Sequence, residues 1–272
     1  MNPPLLPRRR RDAHKGDFGR LFLLAGSREY TGAPCLCAHA AVRGGAGLVT
    51  LAVPEPVWPV AAVKCDEAMV WPLPDDCDAV LAKASACDAA VIGPGLGQSV
   101  RAEELVLRLL EELTCPVVVD ADGLNILSRH IDVLDRRKGI TVLTPHEGEF
   151  SRLSGCPLPV GDRVSAAAAF AEAHRCILVL KGHRTVTARP DGRCTVNTTG
   201  NPGMARGGSG DALAGLLGAL MCQGLTDSPE TAVWLHGRAG DLAAARKGEY
   251  GMTVADLIGQ IPYAMKEVTE GV

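Results

Sequence analysis

Short runs of consecutive apolar residues recur along the chain, separated by longer segments of mixed polarity. Apolar runs without polar alternation are typical of strands that are covered by helices on both faces. The predicted strands are Leu21–Leu24, Leu48–Val53, Ala89–Ile92, Val117–Val119, Thr141–Leu143 and Ile177–Leu180. The predicted helices between them are Pro34–Val42, Ser99–Leu113, Glu147–Leu153 and Asp162–His174. Repeated strand–helix–strand units predict an α/β fold with a mostly parallel sheet.

The pattern changes in the last third of the chain. Thr185–Ala188 and Cys194–Val196 flank an Arg-Pro-Asp-Gly turn, which predicts an antiparallel hairpin at the edge of the sheet. A glycine-rich turn then leads into a helix from Asp211 to about Gln223, whose apolar residues on almost every side predict burial. Two more helices are predicted near Pro229–Lys247 and Val254–Val268.

The domain organisation follows from the uniformity of this pattern. No low-complexity linker or internal repeat interrupts it, so we predict a single domain over residues 14–272. Residues 1–13 are basic and rich in proline, without the apolar segment of a signal peptide, and we predict a disordered leader there. No apolar run reaches the length of a membrane span.

Composition narrows the possible partners and the compartment. A net charge of −3 and an aromatic content of 4% argue against nucleic-acid binding. The ten cysteines form no C-x-x-C pair, and most lie in apolar runs. Buried, reduced thiols in a cytoplasmic protein are therefore expected, rather than disulfides or a metal site.

The glycine-rich turn at Asn201–Gly215 carries the strongest chemical signal. Glycines at 207, 208 and 210 let the backbone bend sharply or approach a ligand, and the free amides of the following helix favour an anion such as phosphate. Asp211 conflicts with simple anion binding, because its carboxylate repels phosphate. It would instead accept a proton from a substrate hydroxyl or hold a bridging cation. The alternative is an ordinary acidic residue in the first turn of a helix.

Unusual residues also follow most of the predicted parallel strands. Ligands of open parallel sheets bind beyond the carboxyl ends of the strands, so these residues should converge in front of the glycine-rich turn. They are Gly93 to Gly97, Asp120 and Asp122, His146 with Glu147 and Glu149, and Lys181 with Gly182. Lys181 could reach a phosphate, and His146 a hydroxyl or amide. The two aspartates could bind Mg²⁺ through water, or Asp122 could cap a helix, and the glutamates suit a first helical turn.

Three familiar signatures are absent. The chain has no GK[ST] phosphate loop, no G-x-G-x-x-G dinucleotide spacing and no G-x-S-x-G nucleophile elbow.

The motifs together resemble a known family. GGSGD followed by an apolar helix resembles the anion hole of ribokinase-like kinases. The ordered set HKGDFGRLFLLAGS, VRGGAGLVTLAVPE, GPGLGQ, VVVDADGLNIL, TPHEGEFSRL, KGHRT and TTGNPGMARGGSGD is similar to the ADP-dependent NAD(P)H-hydrate dehydratases from His14 onward. That family usually has threonine where this chain has Arg206. Some members carry an additional epimerase domain. The implied fold is a ribokinase-like three-layer α/β/α sandwich.

The resemblance implies a metabolite-repair reaction. Its substrate is the S form of NADH or NADPH hydrated at the nicotinamide ring. The terminal phosphoryl of ADP, or of ATP, is transferred to the hydroxyl, and elimination driven by the ring nitrogen restores the reduced nucleotide. The resemblance also implies Mg²⁺ as cofactor, a homotetramer, and a separate epimerase in the same pathway.

Site residues are carried over by motif position. The implied catalytic residues are Gly208, Gly210 and Asp211. Those implied to contact the hydrated substrate are Ala33, Gly95, Gly97, His146 and Asp211. Those implied to contact the nucleotide are Lys181, Gly182, His183, Arg184, Thr185, Gly207, Ser209 and Gly210. A small-molecule kinase of the same fold, a non-catalytic nucleotide sensor and an NAD-linked oxidoreductase remain as alternatives.

Overall fold

The computed structural model describes residues 6–225 and 227–270. Within that part, nine strands form one sheet in the order β3-β2-β1-β4-β5-β6-β7-β8-β9, parallel from β3 to β7 and antiparallel for the last two strands. The strands are β1 Arg20–Leu24, β2 Leu48–Val53, β3 Met69–Pro72, β4 Ala89–Ile92, β5 Val117–Val119, β6 Thr141–Leu143, β7 Ile177–Leu180, β8 Val186–Ala188 and β9 Cys194–Val196. The predicted parallel sheet and its antiparallel edge hairpin are confirmed.

Helices cover both faces of this sheet. They are α1 Gly32–Arg43, α2 Trp58–Lys64, α3 Cys77–Ser85, α4 Val100–Glu112, α5 Asp122–Leu127, α6 Val133–Arg136, α7 Glu147–Ser154, α8 Arg163–Ala173, α9 Ser209–Cys222, α10 Ser228–Gly251 and α11 Val254–Glu270. One apolar cluster lies between the sheet and α1, α2, α9, α10 and α11, and a second lies between the opposite face and α3 to α8. The three-layer prediction is confirmed.

The buried helix α9 differs from its prediction at the start. It begins at Ser209, two residues earlier than predicted, because Gly208 takes the left-handed backbone (φ 95°) that ends the preceding turn. Asp211 is consequently the third helical residue. The expected burial is present, since the side of α9 facing the sheet and the sides facing α1 and α10 are all covered.

The amino-terminal leader contacts the domain at Arg9. Residues 6–13 form no helix or strand, yet they lie on the domain. Arg9 donates to Gly45 O and to Gln223 Oε1, and its guanidinium lies 3.6 Å from the centre of the Phe18 ring. The disordered leader over residues 1–13 stays a prediction, and residues 1–5 lie outside the described part. No helix among the described residues is long and apolar enough to cross a membrane.

Candidate active site

The site lies where the strand order reverses, between β1 and β4. Successive strands are added to one side of β1 up to β3 and to the other side from β4 onward, and such a switch point opens a crevice at the carboxyl ends of the strands. A backbone hydrogen bond joins the two loops at this point: Gly26 N, just after β1, donates to Pro94 O, just after β4. The residues selected from the sequence occupy the loops after β4, β5, β6 and β7, at this same edge of the sheet.

A buried ion pair lies beneath the crevice. Lys181 Nζ, at the end of β7, donates to Asp120 Oδ1 at 2.7 Å, and Thr144 Oγ1 donates to the same oxygen at 2.7 Å. Glu149 Oε2 lies 3.7 Å from the ammonium. Burial alone would lower the pKa of Lys181, but the carboxylates of Asp120 and Glu149 outweigh it and raise this pKa. The ammonium therefore remains charged.

The first turn of α9 rests directly on this ion pair. A Cβ at position 210 would lie 3.2 Å from Lys181 Nζ and 3.8 Å from Asp120 Oδ2, so only glycine leaves this space free. The predicted proximity of the glycine-rich turn to Lys181 is therefore present. The first amides of any helix lack intrahelical acceptors, so the start of α9 offers donors close to the ammonium.

Asp211 lies one residue beyond Gly210 in a region crowded by carboxylates. Burial is the main cause that raises the pKa of Asp211 to about 6, and the charge of Asp120 raises it further, against the opposing effect of Lys181. A carboxylate with a pKa near neutrality is a better proton acceptor than an exposed aspartate and still ionises at physiological pH. These are the properties required of a general base for a hydroxyl.

Two of the residues implied to contact the hydrated substrate, Ala33 and Gly95, are in contact with each other. A Cβ at Gly95 would lie 2.8 Å from Ala33 Cβ, so the loop after β4 packs on the first turn of α1. Gly97 N donates to Asp122 Oδ2 at 2.8 Å, which makes Asp122 a support for that loop. Gly208 is packed against Leu36 of α1. The loop after β4 and the start of α9 thus both pack against α1.

His146 caps α7 and leaves one ring nitrogen available. Its Nδ1 accepts from the amides of Gly148 at 3.0 Å and Glu149 at 3.3 Å, so the proton of the neutral ring is on Nε2. Glu149 completes the cap by accepting from His146 N at 2.8 Å. The His146 side chain is 56% exposed, and its Nε2 can donate to a ligand.

The loop implied to contact the nucleotide leaves the sheet after Lys181. Gly182 (φ 149°) and Arg184 (φ 58°) both have positive φ, which fixes an unusual path. Thr185 Oγ1 donates to Gly182 O at 3.1 Å. Residues 182, 183 and 184 are exposed, so their roles stay predictions from the motif.

The sequence did not identify His236 as part of the site and did not settle the role of Arg206. His236 of α10 lies behind α9, its Nε2 3.4 Å from Ser209 Oγ, and burial lowers its pKa to about 4, so the ring is neutral. A lone histidine in a long helix gives no motif that could have identified it. Arg206 donates from Nε to Gly203 O at 3.0 Å and from Nη2 to Tyr250 O at 3.4 Å, so its side chain is tied to the end of α10.

The residues present do not form a metal cage. No group of three or more metal-binding side chains occurs within residues 6–225 and 227–270. Asp120 is already bonded to Lys181 and Thr144, and Asp122 supports Gly97. Mg²⁺ often binds through substrate phosphates and water with few carboxylates, so the ion would have to come with a nucleotide.

Comparison with known proteins agrees with this geometry. The family model for NAD(P)H-hydrate dehydratase matches residues 21–263. The bifunctional NAD(P)H-hydrate repair enzyme Nnr of Moorella thermoacetica is 43% identical, with 98% of this chain and 53% of the relative covered. The ADP-dependent (S)-NAD(P)H-hydrate dehydratase of Neisseria meningitidis is 37% identical, with 97% of this chain and 89% of the relative covered. The chain thus spans about half the length of the bifunctional relatives it matches.

Solved structures share the fold. The ADP/ATP-dependent NAD(P)H-hydrate dehydratase of Bacillus subtilis, co-crystallised with ATP and Mg²⁺, is 31% identical with a TM-score of 0.84, and the match covers 98% of this chain and 99% of that one. A ribokinase-like superfamily protein of Enterococcus faecalis is 28% identical with a TM-score of 0.87, covering 98% and 93%. The fold is ribokinase-like, and the chain belongs to the NAD(P)H-hydrate dehydratase family.

Proposed function

We propose that this protein restores NADH and NADPH from the S form of their hydrates, at the expense of converting ADP to AMP and phosphate. Family membership supports the reaction class. One observation carries the assignment of the site: Gly210 lies against the Lys181–Asp120 ion pair, and Asp211, with a pKa raised to about 6, is the next residue. Anion-holding amides and a base for a hydroxyl therefore occupy one helical turn.

The chemistry requires a better leaving group than hydroxide. The hydroxyl oxygen on the ring attacks the terminal phosphorus, its proton passes to Asp211, and the bond from phosphorus to AMP oxygen breaks with its electrons on AMP. The lone pair of the ring nitrogen then expels phosphate, and loss of a proton from the neighbouring carbon restores the double bond. The amides of residues 207–210 stabilise the charge on the transferring group.

The other residues are assigned to two ligands. Ala33, Gly95, Gly97 and His146 line the hydrate side, where His146 Nε2 donates a hydrogen bond. The loop Lys181, Gly182, His183, Arg184 and Thr185, with Gly207, Ser209 and Gly210, lines the nucleotide side. Contacts within each group support this division, since Gly95 packs on Ala33 and Gly210 on Lys181.

The nucleotide brings Mg²⁺ to the site through its phosphates. ADP is the proposed donor, as in the name of the Neisseria relative, with ATP as a possible substitute, as in the name of the Bacillus protein. We place the enzyme in the cytoplasm because all ten cysteines are free. The proposal further includes a homotetramer and a separate epimerase that supplies the S form.

The test is an assay of hydrated NADH with ADP or ATP in the presence of Mg²⁺. The proposal predicts that absorbance of the reduced nicotinamide returns with one phosphate released per ring restored. A stable phosphorylated product would instead identify a small-molecule kinase. Nucleotide binding without turnover would identify a sensor, and dependence on a second redox substrate would identify an oxidoreductase.

A further inference from the structure

Arg163, the first residue of α8, forms an unusual set of contacts beneath the loop 181–185. Its Nη2 donates to Leu180 O at 2.9 Å and to Lys181 O at 3.1 Å. Its Nη1 donates to His183 O at 2.8 Å and to Arg184 O at 3.4 Å. Carbonyls from four of five successive residues thus point at one guanidinium, whose planar fork carries donors for all of them.

This loop needs an external support. Gly182 and Arg184 have φ of 149° and 58°, and a non-glycine residue with positive φ is strained unless its surroundings hold it. The guanidinium also fills the space beside Gly182, because a Cβ there would lie 2.9 Å from Arg163 Nη2. The loop therefore wraps around the arginine, and the arginine side chain is only 19% exposed.

The same side chain also contacts the neighbouring loop, which follows β6. Arg163 Nε lies 3.1 Å from Glu147 Oε1, an ion pair without the angle of a hydrogen bond. Glu147 is the first residue of α7 and directly follows His146. Arg163 consequently joins the loop after β7 to the helix that positions His146.

We propose that Arg163 is a positioning residue for the nucleotide: it holds the loop 181–185 in its binding conformation without itself touching the ligand. This inference rests on the proposed function, which assigns that loop to the nucleotide. Lysine cannot replace this arginine, because an ammonium is a point charge that cannot donate in one plane to four carbonyls. A loop that is less often in its binding conformation binds its ligand more weakly in proportion.

The experiment compares Arg163→Lys and Arg163→Met with a matched arginine elsewhere. Arg137 donates to the carbonyls of Leu110, Leu113 and Cys115 at the opposite, amino-terminal end of the sheet, next to the start of β6. Arg137→Lys therefore removes similar hydrogen bonds far from the crevice. For each variant, KM for ADP, KM for hydrated NADH, kcat and Tm are measured, together with the Kd for ADP by calorimetry.

We expect Arg163→Lys to raise KM and Kd for ADP about tenfold, with KM for the hydrate and kcat within about twofold. Arg163→Met should have a larger effect of the same kind. Arg137→Lys should lower Tm and leave KM for ADP unchanged, which separates positioning from general loss of stability. An unchanged Kd for ADP in both Arg163 variants, or an equal rise in Arg137→Lys, overturns the inference.

The calorimetric Kd for ADP distinguishes a failure of the proposed function from a failure of the inference about Arg163. If the parent protein binds ADP but restores no hydrate, the proposed function fails, while weaker ADP binding in Arg163→Lys still supports the role of Arg163. If the parent restores hydrate and Arg163→Lys keeps the parental affinity for ADP, the inference about Arg163 alone fails.

Discussion

Lys181 Nζ donates to Asp120 Oδ1 across 61 positions of sequence, at 2.7 Å. Glu149 lies on the other side of the same ammonium, so two carboxylates share one positive charge. Phosphate oxygens that approach Lys181 must compete with Asp120, so we expect free amides in the first turn of α9 to donate to them. Burial is the main reason why the pKa of Asp211 is raised, and the negative charge of Asp120 adds to it.

The ion pair makes a prediction about stability. Lys181→Met leaves the carboxylate of Asp120, which is 1% exposed, without its partner, and we expect the free energy of unfolding to fall by about 3 kcal/mol. Adding Asp120→Asn to that variant should recover part of the loss, because the uncompensated charge is removed. Urea denaturation measures both changes. If Lys181→Met were as stable as the parent, the burial of the Asp120 carboxylate would not depend on Lys181.

The glycine at 210 makes a steric prediction. Gly210→Ala places a Cβ 3.2 Å from Lys181 Nζ, so the ammonium or the helix start must shift, and we expect kcat/KM to fall by roughly tenfold to a hundredfold. Gly259→Ala in α11 is the matched control, since a Cβ there meets nothing within 4 Å. Steady-state kinetics and circular dichroism check both. Equal activities in the two variants would remove the steric argument.

The raised pKa of Asp211 predicts an acid limb in the pH profile. Below about pH 6 the protonated carboxyl no longer accepts a proton, so kcat/KM should fall about tenfold per pH unit. A profile that stays flat down to pH 4.5 would contradict the assignment of Asp211 as the base.

The same pKa makes a prediction about stability with a definite sign. Between about pH 4 and 6 the folded carboxyl holds a proton that the unfolded one has lost, so its contribution to stability grows as the pH falls. Above pH 6 the ionised group destabilises the fold by roughly 3 kcal/mol. The difference in stability between Asp211→Asn and the parent should therefore shift in favour of the variant from pH 4 to pH 8. Thermal denaturation at both pH values measures this shift.

The fold was largely predictable because its strands are apolar on both faces. All six predicted parallel strands are present, and five have the predicted bounds. The half-exposed edge strand Met69–Pro72 was missed although its residues are apolar, because prolines at 72 and 74 favour a loop. The helices on either side of this strand, Trp58–Lys64 and Cys77–Ser85, were also missed, because they follow proline-rich segments that predict loops.

The site was predictable only as a set of positions. Strand-end rules bring Asp120, His146 and Lys181 to one edge, but no sequence rule pairs Lys181 with Asp120 rather than with a phosphate. The sequence allowed Asp122 to be either a metal ligand or a helix cap. In the structure its carboxylate instead accepts a hydrogen bond from Gly97 N. Such choices depend on side-chain directions and burial that are set by the whole fold.

The most direct measurement of the central claim is the turnover of Asp211→Asn with hydrated NADH, ADP and Mg²⁺, combined with the Kd for ADP. Asp256→Asn is the matched control, because Asp256 occupies the same third position in α11 that Asp211 occupies in α9. The account predicts that Asp211→Asn lowers kcat by about a thousandfold while the Kd for ADP stays within about twofold, and that Asp256→Asn changes neither. Near-parental turnover in Asp211→Asn would contradict the account.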